Sequence, residues 1–217
     1  MISGLPARIF QSDFPAFNYL CQMENEDNHL HAYVYSAEMV EFVTSANEFC
    51  RFLEQLNEVD GRLFIEGTVS LLSRIYAAVI RIGETEPVND SPLEVLVTEM
   101  EWNLIEKRIS TLLGAHNDYI RPATEDEFDR SELVTQTISE DVADIYQEMR
   151  DFIHVYSRGL EALMSDAAWE VKQRFGEHWG IKLLRSLTAL HPLYVNGIDP
   201  GADLETREKE DWWGQDF

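Results

Sequence analysis

From residue 36 to residue 194 apolar side chains return every three or four positions, the spacing that lines one face of an α-helix. Ser36 is an N-cap, and Met39, Phe42, Val43, Ala46, Phe49, Cys50, Leu53 and Leu56 follow it, predicting a helix over about Ser36 to Asn57. Asp60-Gly61 makes a turn. A second helix carries Phe64, Thr68, Leu71, Ile75, Ala78 and Ile82, with Leu72, Tyr76 and Val79 widening the stripe. A stripe that wide suits a central helix touched from several sides. In a third helix Trp102, Ile105, Ile109 and Leu112 point inward, after a capping box at Thr98-Glu99-Met100-Glu101 and before a left-handed C-cap at Gly114. The fourth is the most regular: Ile138, Val142, Ile145, Met149, Phe152 and Tyr156 step 4-3-4-3-4. Thr137-Ile138-Ser139-Glu140 offers it a second capping box, and Gly159 ends it. A last helical region runs from about Asp166 to Tyr194 through Val171, Phe175, Trp179, Leu183, Leu187 and Leu190. Gly176 and Gly180 interrupt it, and each glycine costs a helix about 1 kcal/mol, so the pair marks a kink, a break or a close backbone crossing.

Between the helices lie a breaker-rich loop, Gly83 to Pro92, and a long acidic connection, Ala115 to Thr135. That connection contains Glu125, Asp126, Glu127 and Asp129, and loops of such length are usually functional or flexible. Pro6 and Pro15 break any long helix near the start, leaving residues 1–35 as an extension whose Phe10, Phe14, Phe17, Tyr19 and Leu20 can dock on the core. The chain from residue 196 to 217 is an acidic tail bearing Trp212 and Trp213. The reading is an all-α fold, an antiparallel helical bundle of about five to seven helices in a single domain over residues 36–195.

Charge changes this picture more than composition does. Forty Asp and Glu against seventeen Lys and Arg leave a net charge of −23, a field that repels phosphate backbones and anionic membranes and attracts a basic protein partner. Cys21 and Cys50 are too few for a disulfide framework or a zinc knuckle, and Cys50 falls on a helical apolar stripe, as a buried, inert thiol would. No secretion signal is recognisable near the start. The most apolar stretch, Val69 to Ile82, is cut by Ser70, Ser73, Arg74 and Arg81 and falls short of a membrane span. A soluble, cytoplasmic protein is expected, with a homodimer suggested by the wide stripe from Leu63 to Ile82.

Several short motifs add a resemblance. Ile138-Ser139-Glu140-Asp141-Val142-Ala143-Asp144-Ile145-Tyr146, His178-Trp179-Gly180 and Ser186-Leu187-Thr188-Ala189-Leu190-His191 resemble an uncharacterised bacterial family of small helical domains. Val40 to Phe52 and Leu112-Leu113-Gly114 with Asp118-Tyr119 are similar to the same family. The matches keep family order over about residues 38 to 194. The resemblance implies a helical fold, and because the family is a domain of unknown function it implies no catalytic roles.

Candidate chemistry is sparse. Asp141, Asp144, Glu148 and Asp151 step 3-4-3 beside the seam of the fourth helix. Such a ridge is a solvated flank, a set of ion pairs with Lys172, Arg174, Lys182 or Arg185, or half of a hard-cation site. On the last helix Glu170, Arg174 and His178 share a ridge. With Asp144 and Tyr146, His178 would form an acid–base cluster if the two helices are neighbours; otherwise it is a histidine satisfying a structural contact. Asp141, Asp144, Tyr146, Arg174 and His178 are therefore the candidate polar site. Di-iron chemistry needs repeated Glu-x-x-His pairs on helices, whereas Glu26-Asp27-Asn28-His29 lies in a predicted loop and Asp151 with His154 has no second copy. No Walker A, His-Glu-x-x-His, Gly-x-Ser-x-Gly or Gly-x-Gly-x-x-Gly motif occurs, so no cofactor is implied. The leading expectation is an interaction or regulatory module, with Glu125, Asp126, Glu127, Trp212 and Trp213 as partner-binding candidates. The alternative is a small enzyme or metal-binding protein working between the fourth and last helices.

Overall fold

The computed structural model describes residues 28–56, 59–123 and 133–202. Within them the chain is a helical bundle. A short helix, α1 (residues 28–34), leads into α2 (Ala37–Glu54), α3 (Gly61–Val79) and α4 (Glu99–Leu113). A 3-10 turn, Gly114–His116, and two strands, β1 (Asp118–Pro122) and β2 (Leu133–Thr137), precede α5 (Ile138–Tyr156). Then come α6 (Glu161–Arg174), a π-helical turn (Phe175–Trp179) and α7 (Gly180–Val195).

The caps form where short oxygen-bearing side chains precede the apolar periods. Ser36 accepts from the Met39 amide, Asp60 from Leu63, and Thr98 and Glu101 close a reciprocal box. At α5 only half of the expected box exists: Thr137 accepts from the Glu140 amide, while the Glu140 carboxylate takes a bond from Gln136 Nε2 at 2.9 Å. Gly114 has a φ of 52° but a ψ of −122°, so it starts the 3-10 turn and is not a left-handed helical cap. α1 belongs to the stretch read as an extension. Val34 is nevertheless fully buried, its carbonyl accepts from Tyr156, and Tyr33 donates to Gly83 O at 3.2 Å.

The helix at the centre is α5, not α3. It packs on α2, α4, α6 and α7, and its Val142, Ala143, Ile145 and Met149 have no exposed surface. α3 lies against α2 and α7, and Phe64, Leu72, Ile75, Ala78 and Val79 use most of its wide stripe, leaving Leu63 and Ile80 exposed. On α4 the inward residue of the last turn is Leu113, where Leu112 was expected. Cys50 is buried, as its place on the stripe implies. Tyr194, expected inward, is half exposed in the last turn of α7.

Among the described residues, the acidic connection holds the strand pair. β1 and β2 pair antiparallel, with Asp118 opposite Thr137 and Pro122 opposite Leu133. A buried polar knot fixes the base of this hairpin to α5. Asn117 Nδ2 donates to Ser139 Oγ at 2.9 Å, the Ser139 amide donates back to Asn117 Oδ1 at 2.9 Å, and Ser139 Oγ donates to Glu106 at 2.8 Å. Each buried polar atom there has a partner, so the knot costs little and sets the register of the hairpin.

The breaker-rich loop is equally ordered. Asp166 on α6 receives the Val88 amide at 2.6 Å, the Asn89 amide at 3.3 Å and Asn89 Nδ2 at 2.6 Å. Asp151 on α5 receives the Leu96 and Val97 amides, both at 2.8 Å. Two carboxylates thus do for this strap what a sheet ladder does elsewhere: they satisfy backbone donors that have no helix to bond within.

Candidate functional site

Every member of the acidic ridge on α5 has a partner within the fold. Asp141 is 1% exposed and accepts from the Tyr119 hydroxyl. Burial pushes its carboxyl up, against the Tyr119 bond and the positive charges of Lys182 and Arg185, and burial likewise raises the Tyr119 phenol. Asp144 accepts from Trp102 Nε1 at 2.8 Å and from Lys182 Nζ. Glu148 holds Arg174 in a two-pronged pair, with Nε at 2.6 Å. Asp151 holds the strap. The ion pairs Asp144–Lys182 and Glu148–Arg174 are the ones the ridge was expected to make if structural, whereas Lys172 reaches away to Glu84 at 2.7 Å.

The five residues of the candidate polar site divide between two faces of α5. Asp141, Asp144, Arg174 and His178 lie on the side of α6, the π-turn and α7, linked through Lys182 and Glu148. His178 is exposed on the π-turn. Desolvation and then Lys182 hold its imidazole below the ordinary histidine value, with Glu148 and Asp144 pulling the other way. Tyr146 is on the other side, where it donates to Glu54 Oε1 at 3.2 Å beside Arg150, which is 3.2 Å from the same oxygen. That side opens on a cavity of about 310 Å³ walled by Val97, Ile105 and Arg108. Glu125, Asp126, Glu127, Trp212 and Trp213 lie outside the described residues, as do Asp129 and Cys21.

Among the described residues no three His, Cys, Asp or Glu side chains converge to hold a metal ion. The nearest thing to a carboxylate pocket is a cavity of about 100 Å³ between α5 and α6, where Glu94, Glu148, Asp151 and Glu170 meet Arg174. Burial raises the Glu170 carboxyl, with Arg174 opposing and Glu148 and Asp151 adding to the rise. A carboxyl raised on folding adds stability below its unfolded value, about pH 4.3 for glutamate, and that contribution is lost as pH rises through the folded value. Glu170→Gln keeps the side chain neutral. It is therefore expected to stabilise the protein at pH 7 and to match the parent near pH 4 in paired urea titrations. A variant less stable at pH 7 would mean that attraction to Arg174 outweighs burial.

The π-turn is what the glycine pair produces. Trp179 is fully buried, its indole donates to Val171 O at 2.9 Å, and its ring lies 4.7 Å from that of Phe175. The Gly180 amide closes the turn on Phe175 O. π-turns often sit at functional positions, but this one faces the core with its aromatic side and presents only Gly176, Glu177 and His178 outward.

One concavity was not foreseen from sequence. A groove of about 620 Å³ runs between β1 and α7, with Ile120, Ile181 and Leu184 exposed along it and Arg121 and Arg185 among its polar groups. Its signal in the sequence is faint: the exposed positions of α7 fall one step off the apolar seam, and β1 has no apolar run at all.

The profile of the Domain of unknown function (DUF5063) matches residues 33–196. A search of curated proteins returns no match. Among solved structures, the crystal structure of protein BF1032 from Bacteroides fragilis is similar at 32% identity and a TM-score of 0.66, over 74% of this chain and 94% of that one. The motifs quoted from α2, the end of α4, α5, the π-turn and α7 all fall inside the profile match. The chain belongs to the DUF5063 family, whose fold is this helical bundle and whose function is unknown.

Proposed function

We propose that this domain is an interaction module whose acidic exterior receives a basic protein partner. The strap between α3 and α4, together with the first two turns of α4, carries the reading. From Glu84 to Glu106 there are seven Asp and Glu and no Lys or Arg. The same segment exposes Val88, Val95, Met100 and Leu104, each at least half accessible. Carboxylates interleaved with large apolar side chains suit a partner that is both basic and amphipathic. Asp151 and Asp166 already hold the strap in place, so a partner would pay little to order it. The strap also shows why net charge alone was a poor guide: here the acidity coincides with exposed apolar surface on a backbone held from below.

The alternative, an enzyme or metal-binding protein built on Asp141, Asp144, Arg174 and His178, has less support. Asp141 is taken by Tyr119, the bonds of Asp144 and Arg174 hold α4, α5, α6 and α7 together, and Tyr146 faces away.

Charge reversal on the strap tests the proposal. Glu86→Lys, Asp90→Lys and Glu99→Lys together change residues for which no internal hydrogen bond or ion pair is needed by the fold. The triple variant is expected to melt within a few degrees of the parent, the small loss coming from Glu99 in the first turn of α4, and to lose a basic protein that the parent retains from native lysate at low salt and releases at high salt. Equal recovery by both chains, or recovery that ignores salt, would overturn the reading.

A further inference from the structure

The groove between β1 and α7 has the opposite character to the strap. In a chain of net charge −23 it gathers Arg121, Arg185 and His116, with Asp118 the one carboxylate among its described lining residues, around an apolar floor formed by Ile120, Ile181 and Leu184. We infer that this groove is the docking site of the chain's own segment 203–217, with Trp212 and Trp213 on the floor and the flanking carboxylates toward the arginines.

Three observations select that occupant. The first is chemistry. Residues 203–217 hold six Asp and Glu against two Lys and Arg, and they bracket two adjacent tryptophans. An acidic segment with a paired aromatic anchor complements a cationic rim around an apolar floor.

The second is position. Pro200 is buried against Gly61 so closely that a Cβ there would stand 2.9 Å from its Cδ and 3.0 Å from the Leu112 carbonyl. Leu112 is three residues before Ala115, which lines the groove, and the Ile198 amide bonds back to Leu193 O at 3.0 Å, Leu193 being another lining residue. The described chain therefore departs beside the groove. The start of the described chain is elsewhere: α1 docks at Gly83, past the far end of α3, about 28 Å from Gly61 at the rise of a helix.

The third is reach. Ten residues separate Ala202 from Trp212, enough for about 33 Å of extended chain. The part of α7 that lines the groove, Ile181 to Leu193, is about 18 Å long. The tryptophans can therefore reach any point of the floor.

Docking in cis would make the groove a guarded site. A partner segment of the same chemistry, acidic with paired aromatics, would have to displace the chain's own copy, whose tether gives it a high effective concentration.

The test uses the full chain with Leu184→Cys and Gly214→Cys, leaving both tryptophans in place. Mild oxidation is expected to form a 184–214 disulfide within single chains, mapped by peptide mass. The rate should be about tenfold or more above that of a control pairing Gly214→Cys with Glu38→Cys, on α2, as tethered proximity implies. Single-cysteine variants account for Cys21 and Cys50. Adding Arg185→Glu should slow the bond. In parallel, the Trp212→Ala/Trp213→Ala chain should bind an added synthetic peptide of residues 203–217 more tightly than the parent does. Bonding at the control rate, bonding only between chains, or peptide binding unaffected by the tryptophans would each overturn the inference.

Discussion

Asp166→Ala is expected to destabilise the protein by about 3 kcal/mol, a fall of about 6–12 °C in melting temperature for a chain of this size. Asp166 is 4% exposed and accepts three bonds from the strap, two of them from backbone amides. A hydrogen bond to a charged acceptor contributes about 1.5–3 kcal/mol, but the three share one carboxylate and water can reach the freed amides, so their sum is an overestimate. Asp166→Asn separates charge from geometry. It keeps the oxygen that takes the Val88 and Asn89 amides, and the Asn89 side chain can turn its own oxygen to the new amide, so a loss of about 1 kcal/mol is expected. Thermal melts of both variants, with limited proteolysis mapped to residues 84–97, check the argument. Alanine should open the strap to cleavage and asparagine should not. An alanine variant that melts within a degree or two of the parent would show that Asp166 does not hold the strap. The consequence reaches function, because a strap that must be ordered by its partner binds more weakly than one already in place.

The helices were legible because their signals are local. Ser36 and Thr98 cap where an apolar period begins, and a step of three or four residues marks the buried face whatever it packs against. The hairpin gave no such signal. β1 alternates exposed and half-buried residues, its Ile120 and its partner's Leu133 both face solvent, and Pro122 ends it, so neither strand shows an apolar run. The β-branched Val134, Thr135 and Thr137 were the only hint.

The centre of the fold was misread for a related reason. α3 has the wider apolar stripe, but α5 is buried more completely because Ser139, Asp141 and Glu148 are buried with it. A carboxylate on a helical wheel reads as a solvated flank. What makes Asp141 and Glu148 interior is Tyr119 and Arg174, which come from other elements, and a partner supplied by tertiary contact leaves no periodicity. The division of the candidate polar site, by contrast, was within reach of sequence. At 100° per residue, Asp144 and Tyr146 lie about 200° apart on one helix, so they cannot share a face. The bonds of Asp144 to Trp102 and Lys182, and of Tyr146 to Glu54, follow that geometry. Likewise the Gly176–Gly180 pair announced an irregularity, while its form, a π-turn with Phe175 tilted against Trp179, depended on the aromatic side chains that close it.

Those two glycines supply the second large effect. Gly180→Ala is expected to cost about 4 kcal/mol, or about 8–16 °C, although it adds one methyl group and raises helix propensity. A Cβ at position 180 would stand 2.3 Å from the Phe175 carbonyl oxygen and 2.9 Å from two atoms of the Phe175 ring. Overpacking a core commonly costs about 1–3 kcal/mol when side chains can shift, but here the obstacle includes backbone, and that carbonyl is the one the Gly180 amide bonds to. Relief requires undoing the π-turn. Removing its extra residue would rotate α7 by about 100° relative to α6, taking Leu183 and Leu190 out of the core and Lys182 off Asp144. Gly176→Ala is the control. Nothing lies within 4 Å of a Cβ there, and its φ is not in the left-handed region, so propensity acts alone and the variant should be unchanged or slightly more stable, within about 1 kcal/mol. Melting both variants, followed by circular dichroism, sets geometry against propensity at two glycines four residues apart. If Gly180→Ala behaves like Gly176→Ala, the close approach of Gly180 to Phe175 is not what holds α6 and α7 in register.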